Sequence, residues 1–414
     1  MNSRAHIAVI GAGIVGCSCA LWLQKRGFRV TLIDPDEPGS GTSSGNAGTI
    51  AEYGCIPVNS PQLFTRLPKL LFSRDSPLTL NPGYALMHPV WMIGFLVNCR
   101  AQRVEHIVRQ LAMLLAKTRE GLDPLLDMAD ARDLLQRRGF MHVYRDQREF
   151  DNAWPSNRAR RQHGVEFREL DRGEIRDLES NLKPIFERGL LFENIDQVLD
   201  PQALCRRYAE SLQRNQGRLL RQRAVEVRNG PGGVKIHLDN GETIDAARAV
   251  IAAGAFSNQI RGIPSQSLKL DTERGHHIQF SGKQHLLSRP VSWQQAGFYA
   301  TPMNSGMRFA GTVEIAGYRK PKNPVIIDYL TRKAREMLEL PEKPDQEWLG
   351  YRPTCPDSLP MIGYSTVSED IIYAFGHQHL GLTLAGITGK LVAELASGEE
   401  PSHEIRAFSP ARFV

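Results

Sequence analysis

The chain has 414 residues, more than one ordinary hydrophobic core serves, and so points to two domains. Hydrophobic residues make up 41 %, which excludes wholesale disorder, and 51 basic against 45 acidic groups leave a net charge of +6. No run of like charges reads as a nucleic-acid tail, so nucleic acid is not an expected partner and the charge is that of a solvated surface. Six cysteines, at positions 17, 19, 55, 99, 205 and 355, form no Cys-x-x-Cys pair. Reduced thiols in a cytoplasmic protein, with no metal site, are the simplest expectation.

The first element is an apolar strand, His6 to Ile10, with no room before it for a signal peptide. Gly11-Ala12-Gly13-Ile14-Val15-Gly16 follows, then a helical stretch from Ile14 to Lys25, a stop at Gly27, and a second strand from Arg29 to Ile33. A G-x-G-x-x-G turn between strand and helix has a mechanism. Gly11 makes the tight turn, Gly13 lets backbone approach a pyrophosphate, and Gly16 lets helix and strand pack closely. The helix N-terminus beyond it, entered through Ile14 and Val15, offers N–H groups and a positive dipole end to phosphates. Asp34 closes the second strand, where a carboxylate can accept hydrogen bonds from ribose hydroxyls. The turn marks a dinucleotide site but leaves FAD and NAD open.

Residues 37–48 are rich in Gly, Ser and Thr and read as a loop. From Val58 to Glu193 the pattern is helical, including a long stretch from Val104 to Met128, with few strand signals. Tyr84 to Cys99 is the most apolar part, too short to span a bilayer, and is expected to form a buried helix. With the neighbouring Arg66-Leu67-Pro68-Lys69-Leu70-Leu71-Phe72 it is also the candidate for a peripheral membrane contact. Asp200-Pro201 opens a helix to Gln213 as N-cap and first-turn proline. Strands follow at 224–228 and 234–238, a hairpin turn at Asp239-Asn240-Gly241, and a further strand at 248–252 that ends in Ala253-Gly254-Ala255. Residues 267–314 look strand-like, 326–339 helical, 371–374 a strand and 384–397 the last helix. A cofactor domain is therefore expected from residues 1–58, 197–262 and 346–414, with a substrate domain from 59–196 and 263–345.

Three further segments choose the cofactor. They are Thr42-Ser43-Ser44-Gly45-Asn46-Ala47-Gly48, Ile251-Ala252-Ala253-Gly254-Ala255-Phe256-Ser257, and the C-terminal Gly350-Tyr351-Arg352-Pro353 with Pro356-Asp357-Ser358-Leu359-Pro360-Met361-Ile362-Gly363 and Gly376-His377-Gln378-His379-Leu380-Gly381-Leu382-Thr383. Together with the glycine turn they resemble the D-amino-acid oxidase superfamily of FAD enzymes over nearly the whole chain, and most closely its bacterial D-amino-acid dehydrogenase branch. Ala252-Ala253 and Phe256 stand where the family often has Ala-Thr and Trp. The resemblance implies an α/β fold, with a Rossmann-like FAD-binding domain and a second, mixed α+β substrate-binding domain. It places Ser43, Ser44, Asn46, Ala47 and Gly48 along the phosphates and isoalloxazine, and Val225, on a middle strand, against adenine. Ala253, Gly254 and Gly350 belong to the same cofactor motifs. Gly381, Leu382 and Thr383 would present N–H groups to charge developing on the reduced flavin.

The implied reaction is FAD-dependent oxidative deamination of a D-amino acid, or of a cyclic imino acid such as D-proline or 4-hydroxy-D-proline. Hydride would leave Cα, and electrons would pass to a quinone or other respiratory acceptor. A substrate carboxylate wants a guanidinium. Arg352 is the first candidate, with pairing to Asp357 as its structural counter-reading. Arg274 is the second, with a surface strand end as its counter-reading. Tyr53 and Tyr299 could add hydroxyls to the pocket, and His379 a ring beside the flavin. Competing readings are a glycine- or sarcosine-type oxidase using O2, an FAD module acting on RNA, and a subunit that needs a partner chain. The expected location is the cytoplasm or the inner face of the membrane.

Overall fold

The computed structural model describes residues 5–61, 78–263 and 269–413. The candidate membrane segment at residues 66–72 lies outside them. The strand His6–Ile10 sits inside a six-stranded sheet, paired in parallel with Arg29–Ile33 on one side and Arg248–Ile251 on the other. Residues 7–10 are all buried, because both faces of the sheet are covered, and the strand accordingly reads as a continuous apolar run. Arg218–Leu220 closes one edge. On the other side Ser368–Phe375 pairs in parallel and Met361–Ser365 closes the edge antiparallel.

Helices Ile14–Lys25 and Gly381–Ala396 share one core with this sheet, as do Ala101–Leu115, Thr118–Ala129 and Pro201–Arg214. The Trp22 indole N–H donates to the carbonyl of Gly121 at 3.0 Å and ties two of those helices together. Asp200 caps the Pro201–Arg214 helix by accepting from the N–H groups of Gln202 and Ala203. A separate antiparallel meander, Ala224–Gly230, Gly233–Leu238 and Thr243–Ala246, covers the sheet's other face through a core that includes Ala8, Ile10, Val234, Ile236 and Ile251.

The second large sheet runs in the order Gln346–Thr354, Asp271–Phe280, Gly306–Ile315, Phe298–Met303, Val291–Trp293, Phe140–Tyr144, Arg188–Phe192 and Arg168–Asp171. Leu78–Leu80 pairs with Gly306–Ile315 off that path. Helix Pro324–Met337 packs on one face, through a core that includes Ile278, Phe280, Phe309 and Leu330.

Several expectations change. The segment from 58 to 193, expected to be helical, contributes Phe140–Tyr144, Arg168–Asp171 and Arg188–Phe192 to the second sheet. Phe140–Tyr144 is buried at every position, so it shows no alternation, and it is too short to stand out between arginine-rich helices. The expected helix at 104–128 is two helices, Ala101–Leu115 and Thr118–Ala129. Tyr84 to Cys99 is not one buried helix. Pro89 divides it into Pro82–Met87 and Pro89–Asn98, and Leu86, Met87, Val90 and Ile93 are 62–82 % exposed while Trp91 and Phe95 are buried. Val225 stands on the edge strand of the meander, not on a middle strand. The expected chain divisions are also crossed, since helices from within 59–196 pack on the first sheet and Gln346–Thr354 belongs to the second.

Phe140 links the second sheet to Tyr53. It is fully buried, stacks on Tyr53 at 4.6 Å and on Tyr299 at 5.4 Å between ring centroids, and meets the His142 ring edge-on. Phe140→Ala should cost about 3–5 kcal/mol, read as a lower midpoint in chemical denaturation. A loss under about 1 kcal/mol would show that the sheet does not depend on this ring stack.

Candidate active site

A cleft of about 580 Å³ opens along the carboxyl ends of the first sheet's strands, the position at which open α/β sheets bind ligands. Gly11 to Val15 form its floor. Gly11 has φ +106°, and a Cβ there would stand 2.4 Å from the carbonyl oxygen of Ala252. A Cβ on Gly16 would stand 1.8 Å from the Gly11 carbonyl oxygen, so the helix can leave the strand this tightly only without side chains at both positions. Asp34 and Val225 both line the cleft. The Asp34 carboxylate accepts the N–H groups of Ala12 at 2.6 Å and Asp36 at 2.9 Å, which fixes its direction and leaves lone pairs free. Burial raises its pKa, and those two bonds oppose the rise. Ala253 and Gly254 form the wall opposite, and Gly381 and Leu382 stand at the start of the last helix. That helix begins three residues earlier than expected, which puts its free N–H groups on the cleft.

FAD fits this cleft by its chemistry. Neither the Ile14–Lys25 nor the Gly381–Ala396 helix is capped by its own N-cap side chain or carries an acid in its first turn, so two positive dipole ends face one space. The carboxylate suited to a ribose lines the same cleft.

Residues 42–48 divide by role. Ser43 and Asn46 line the cleft, and the Ser43 hydroxyl accepts the Ile14 N–H at 3.0 Å. Ser44, Ala47 and Gly48 are not on its wall. The Ser44 hydroxyl donates to the carbonyls of Ser40 and Gly41, and Gly48 accepts the Val198 N–H through its carbonyl. Thr383 also works from behind, accepting the Ala51 N–H at 2.9 Å. Gly350 sits in the second sheet beneath the Trp348 ring, where a Cβ would collide with it at 1.9 Å. Arg308 holds the 42–48 loop from the far sheet, donating to the carbonyls of Ser44 and Asn46 at 2.8 Å each. Burial lowers its pKa to about 10, which still leaves it charged.

Arg352 lies beside the cleft, between Tyr351 and Pro353, both of which line it. Its guanidinium crosses Gly275, where a Cβ would come within 2.4 Å of Cζ, and donates to the carbonyls of Thr312 at 2.7 Å and Gly311 at 3.3 Å. A bulge puts Thr312 at φ +57° in the Gly306–Ile315 strand, opposite Gly275. Asp357 does not pair with Arg352; it is taken by Arg412 at 2.7 Å. No carboxylate among the described residues lies within salt-bridge distance of Arg352. Tyr299 and His379 lie near it, and Tyr53 stands beside Tyr299, with Arg160 donating to the Tyr53 carbonyl at 3.2 Å. Burial pushes both phenol pKa values up, and Tyr53 is raised further by Tyr299 at its side. The His379 side chain is exposed, and the protein packed around it and then Arg352 lower its pKa to about 4 and keep it neutral at pH 7. His377, in contrast, is tied down, its Nε2 2.9 Å from the Thr388 hydroxyl.

Arg274 departs from both expectations. It is fully buried rather than at a surface strand end, its Nε is 3.2 Å from Glu314, and it donates to the Pro321 carbonyl. Alternation along Asp271–Phe280 turns it to the sheet face opposite Arg352, so the two arginines do not converge. Two residues escaped the sequence reading. Arg308 gives no local signal, since its partners lie more than 260 residues away in the chain. Glu273 was visible only as part of Glu273-Arg274-Gly275-His276-His277; its place directly opposite Arg352 follows from the pairing of two distant strands. Among the described residues no group of three His, Cys, Asp or Glu could hold a metal ion.

The fold and cleft are those of an FAD-dependent oxidoreductase. Residues 6–395 match the DAO family, FAD dependent oxidoreductase, and the chain belongs to it. It is 34 % identical to a D-amino-acid oxidase of Bradyrhizobium diazoefficiens, with all of both chains covered. It is 28 % identical to a D-amino acid dehydrogenase of Paramagnetospirillum magneticum, over 99 % of each chain. Among solved structures, glycine oxidase from Geobacillus kaustophilus superposes with a TM-score of 0.74 at 21 % identity, covering 100 % of both chains. L-proline dehydrogenase from P. horikoshii superposes at 0.69 and 18 % identity, covering 100 % of this chain and 98 % of that one.

Because the turn tolerates no Cβ, Gly11→Ala should yield a largely colourless protein. Absorbance of purified protein measures the bound flavin, and a full complement in that variant would refute the steric account.

Proposed function

We propose that the chain oxidises an α-amino or α-imino acid of the D series at FAD. The observation that carries this reading is the half-buried Arg352, which has no acidic partner among the described residues and lies beside the cofactor cleft with Tyr299 and His379 near it. A cation in that position is suited to a substrate carboxylate, and the relatives named D-amino-acid oxidase and D-amino acid dehydrogenase support the substrate class. FAD, when bound, supplies a two-electron acceptor for the Cα hydride.

The protein's own residues do the rest. Arg352 binds the carboxylate and fixes Cα, the Tyr53 and Tyr299 hydroxyls stand where they can add hydrogen bonds, and the surrounding aromatic rings keep water out. The neutral His379 adds no positive charge that would disfavour an amine. Ser43, Asn46, Asp34, Gly381 and Leu382 hold the cofactor from the walls of the cleft.

The acceptor separates two readings. A quinone or another non-O2 acceptor fits the relatives named dehydrogenase, whereas the relative at 34 % identity is named an oxidase. A membrane-borne acceptor also suits the exposed Leu86, Met87, Val90 and Ile93, which stand just before the exposed Arg100 and Arg103. No helix among the described residues is long and apolar enough to cross a membrane.

Anaerobic mixing of the yellow protein with D- and L-amino acids, proline analogues, glycine and sarcosine tests the reaction. Bleaching of the flavin by D-amino acids is expected, and bleaching by none of the panel would end the proposal. Peroxide formed one-for-one with substrate in air identifies the oxidase, and quinone reduction with little peroxide the dehydrogenase. Arg352→Ala should retain FAD and raise KM by two orders of magnitude or more, the roughly 3 kcal/mol of a lost charge-assisted contact. An unchanged KM would remove Arg352 from the substrate site.

A further inference from the structure

Glu273 and Arg352 face each other directly in the pairing of Asp271–Phe280 with Gln346–Thr354, so their side chains leave the same face of the sheet. Glu273 is withdrawn from water and Arg352 is half-buried; they are of opposite charge, yet they do not form an ion pair. The guanidinium instead leans over Gly275 to the carbonyls of Gly311 and Thr312. Glu273 is 1 % exposed, and neither carboxylate oxygen has a hydrogen-bond partner. Leaving a buried carboxylate unpaired is costly, and a fold that needed only packing would place an apolar residue here. A cation and an anion held apart on one face are complementary to a molecule that carries both charges.

We propose that Glu273 is the group that recognises the substrate's amine, and that with Arg352 it reads the amino acid as a zwitterion. The inference rests on the function proposed above and adds its second anchor. The substrate carboxylate goes to Arg352 and the ammonium to Glu273. One ammonium N–H bond breaks and one carboxyl O–H bond forms as the proton passes to a Glu273 oxygen, leaving the neutral amine from which hydride can depart. The environment suits a proton acceptor at neutral pH. Burial raises the Glu273 pKa to about 7, Arg352 opposes the rise and Asp271 adds to it. Asp271 is itself occupied, accepting from the Tyr84 hydroxyl at 2.8 Å and from the Thr272 N–H at 2.7 Å.

The test uses two ligands with one carbon skeleton. α-Aminoisobutyrate is a zwitterion without a Cα hydrogen, so it binds but cannot be oxidised; isobutyrate lacks the amine. Dissociation constants are read from the perturbed flavin spectrum of the oxidised holoenzyme. In Glu273→Gln, α-aminoisobutyrate should bind about tenfold to a hundredfold more weakly, the range of one charge-assisted hydrogen bond, while isobutyrate binds as well or better. Arg352→Ala should lose both ligands. Equal effects of Glu273→Gln on the two ligands, or none, overturn the proposal, and loss of both in Arg352→Ala would then leave the broader function standing. The wild-type protein gives a second measurement that needs no variant. Between pH 6 and 8, as Glu273 ionises, α-aminoisobutyrate should bind more tightly and isobutyrate less tightly. Parallel pH profiles, or no preference for the zwitterion at pH 8, also overturn it.

Discussion

A guanidinium inside a protein must be surrounded by acceptors, because nothing else offsets its lost hydration. At Arg352 those acceptors are two main-chain carbonyls, and their supply organises much of the second sheet. The Gly306–Ile315 strand carries a bulge at Thr312, and Gly275 has no side chain, so that the arginine can cross one strand to reach the next. Neutral carbonyls hold the group without neutralising it, and its charge remains available to a ligand. Had Asp357 paired with it, the site would have spent that charge internally; Arg412 takes Asp357 instead.

The cofactor cleft is built from a different constraint, close approach of backbone. At Gly11, Gly16 and Ala252 a strand end, a helix start and the next strand's end meet with no space for a methyl group. The consequence is electrostatic. Helix N-termini brought to one point without N-cap side chains of their own make a positively polarised wall, and Asp34 puts the opposite charge on the same cleft. The loop at 42–48 completes the wall from outside, and Arg308 fastens it to the second sheet. The two sheets therefore contribute differently, one polarising the cofactor cleft and the other holding a guanidinium beside it.

The ring stack of Phe140, Tyr53 and Tyr299 connects stability to the site. Packing that excludes water also raises the phenol pKa values and lowers that of His379, so that these groups stand neutral at pH 7. Charge in this part of the molecule is carried by Arg160 on the Tyr53 side and by Arg352 with, across from it, Glu273.

Features that depend on a short stretch of chain were legible in the sequence. The His6–Ile10 strand, the Gly11–Gly16 turn, the Ile14–Lys25 helix and Asp34 follow from hydrophobic period, glycine at a forced φ, and the spacing between a strand and its acid. The family resemblance puts Arg352 forward, from its motif, as the candidate for binding a substrate carboxylate. Features that depend on pairing between distant segments were not legible. Phe140–Tyr144 is buried on both sides and has no period to read, and Pro89 changes one expected buried helix into two with an exposed apolar edge. Arg274 and Arg352 look alike in sequence, but strand alternation sends them to opposite faces of one sheet, where Glu314 neutralises one and carbonyls hold the other. Local sterics and propensity act over a few residues and leave a trace in the sequence. Which charges meet is decided by register between strands far apart in the chain, and only the tertiary structure sets that register.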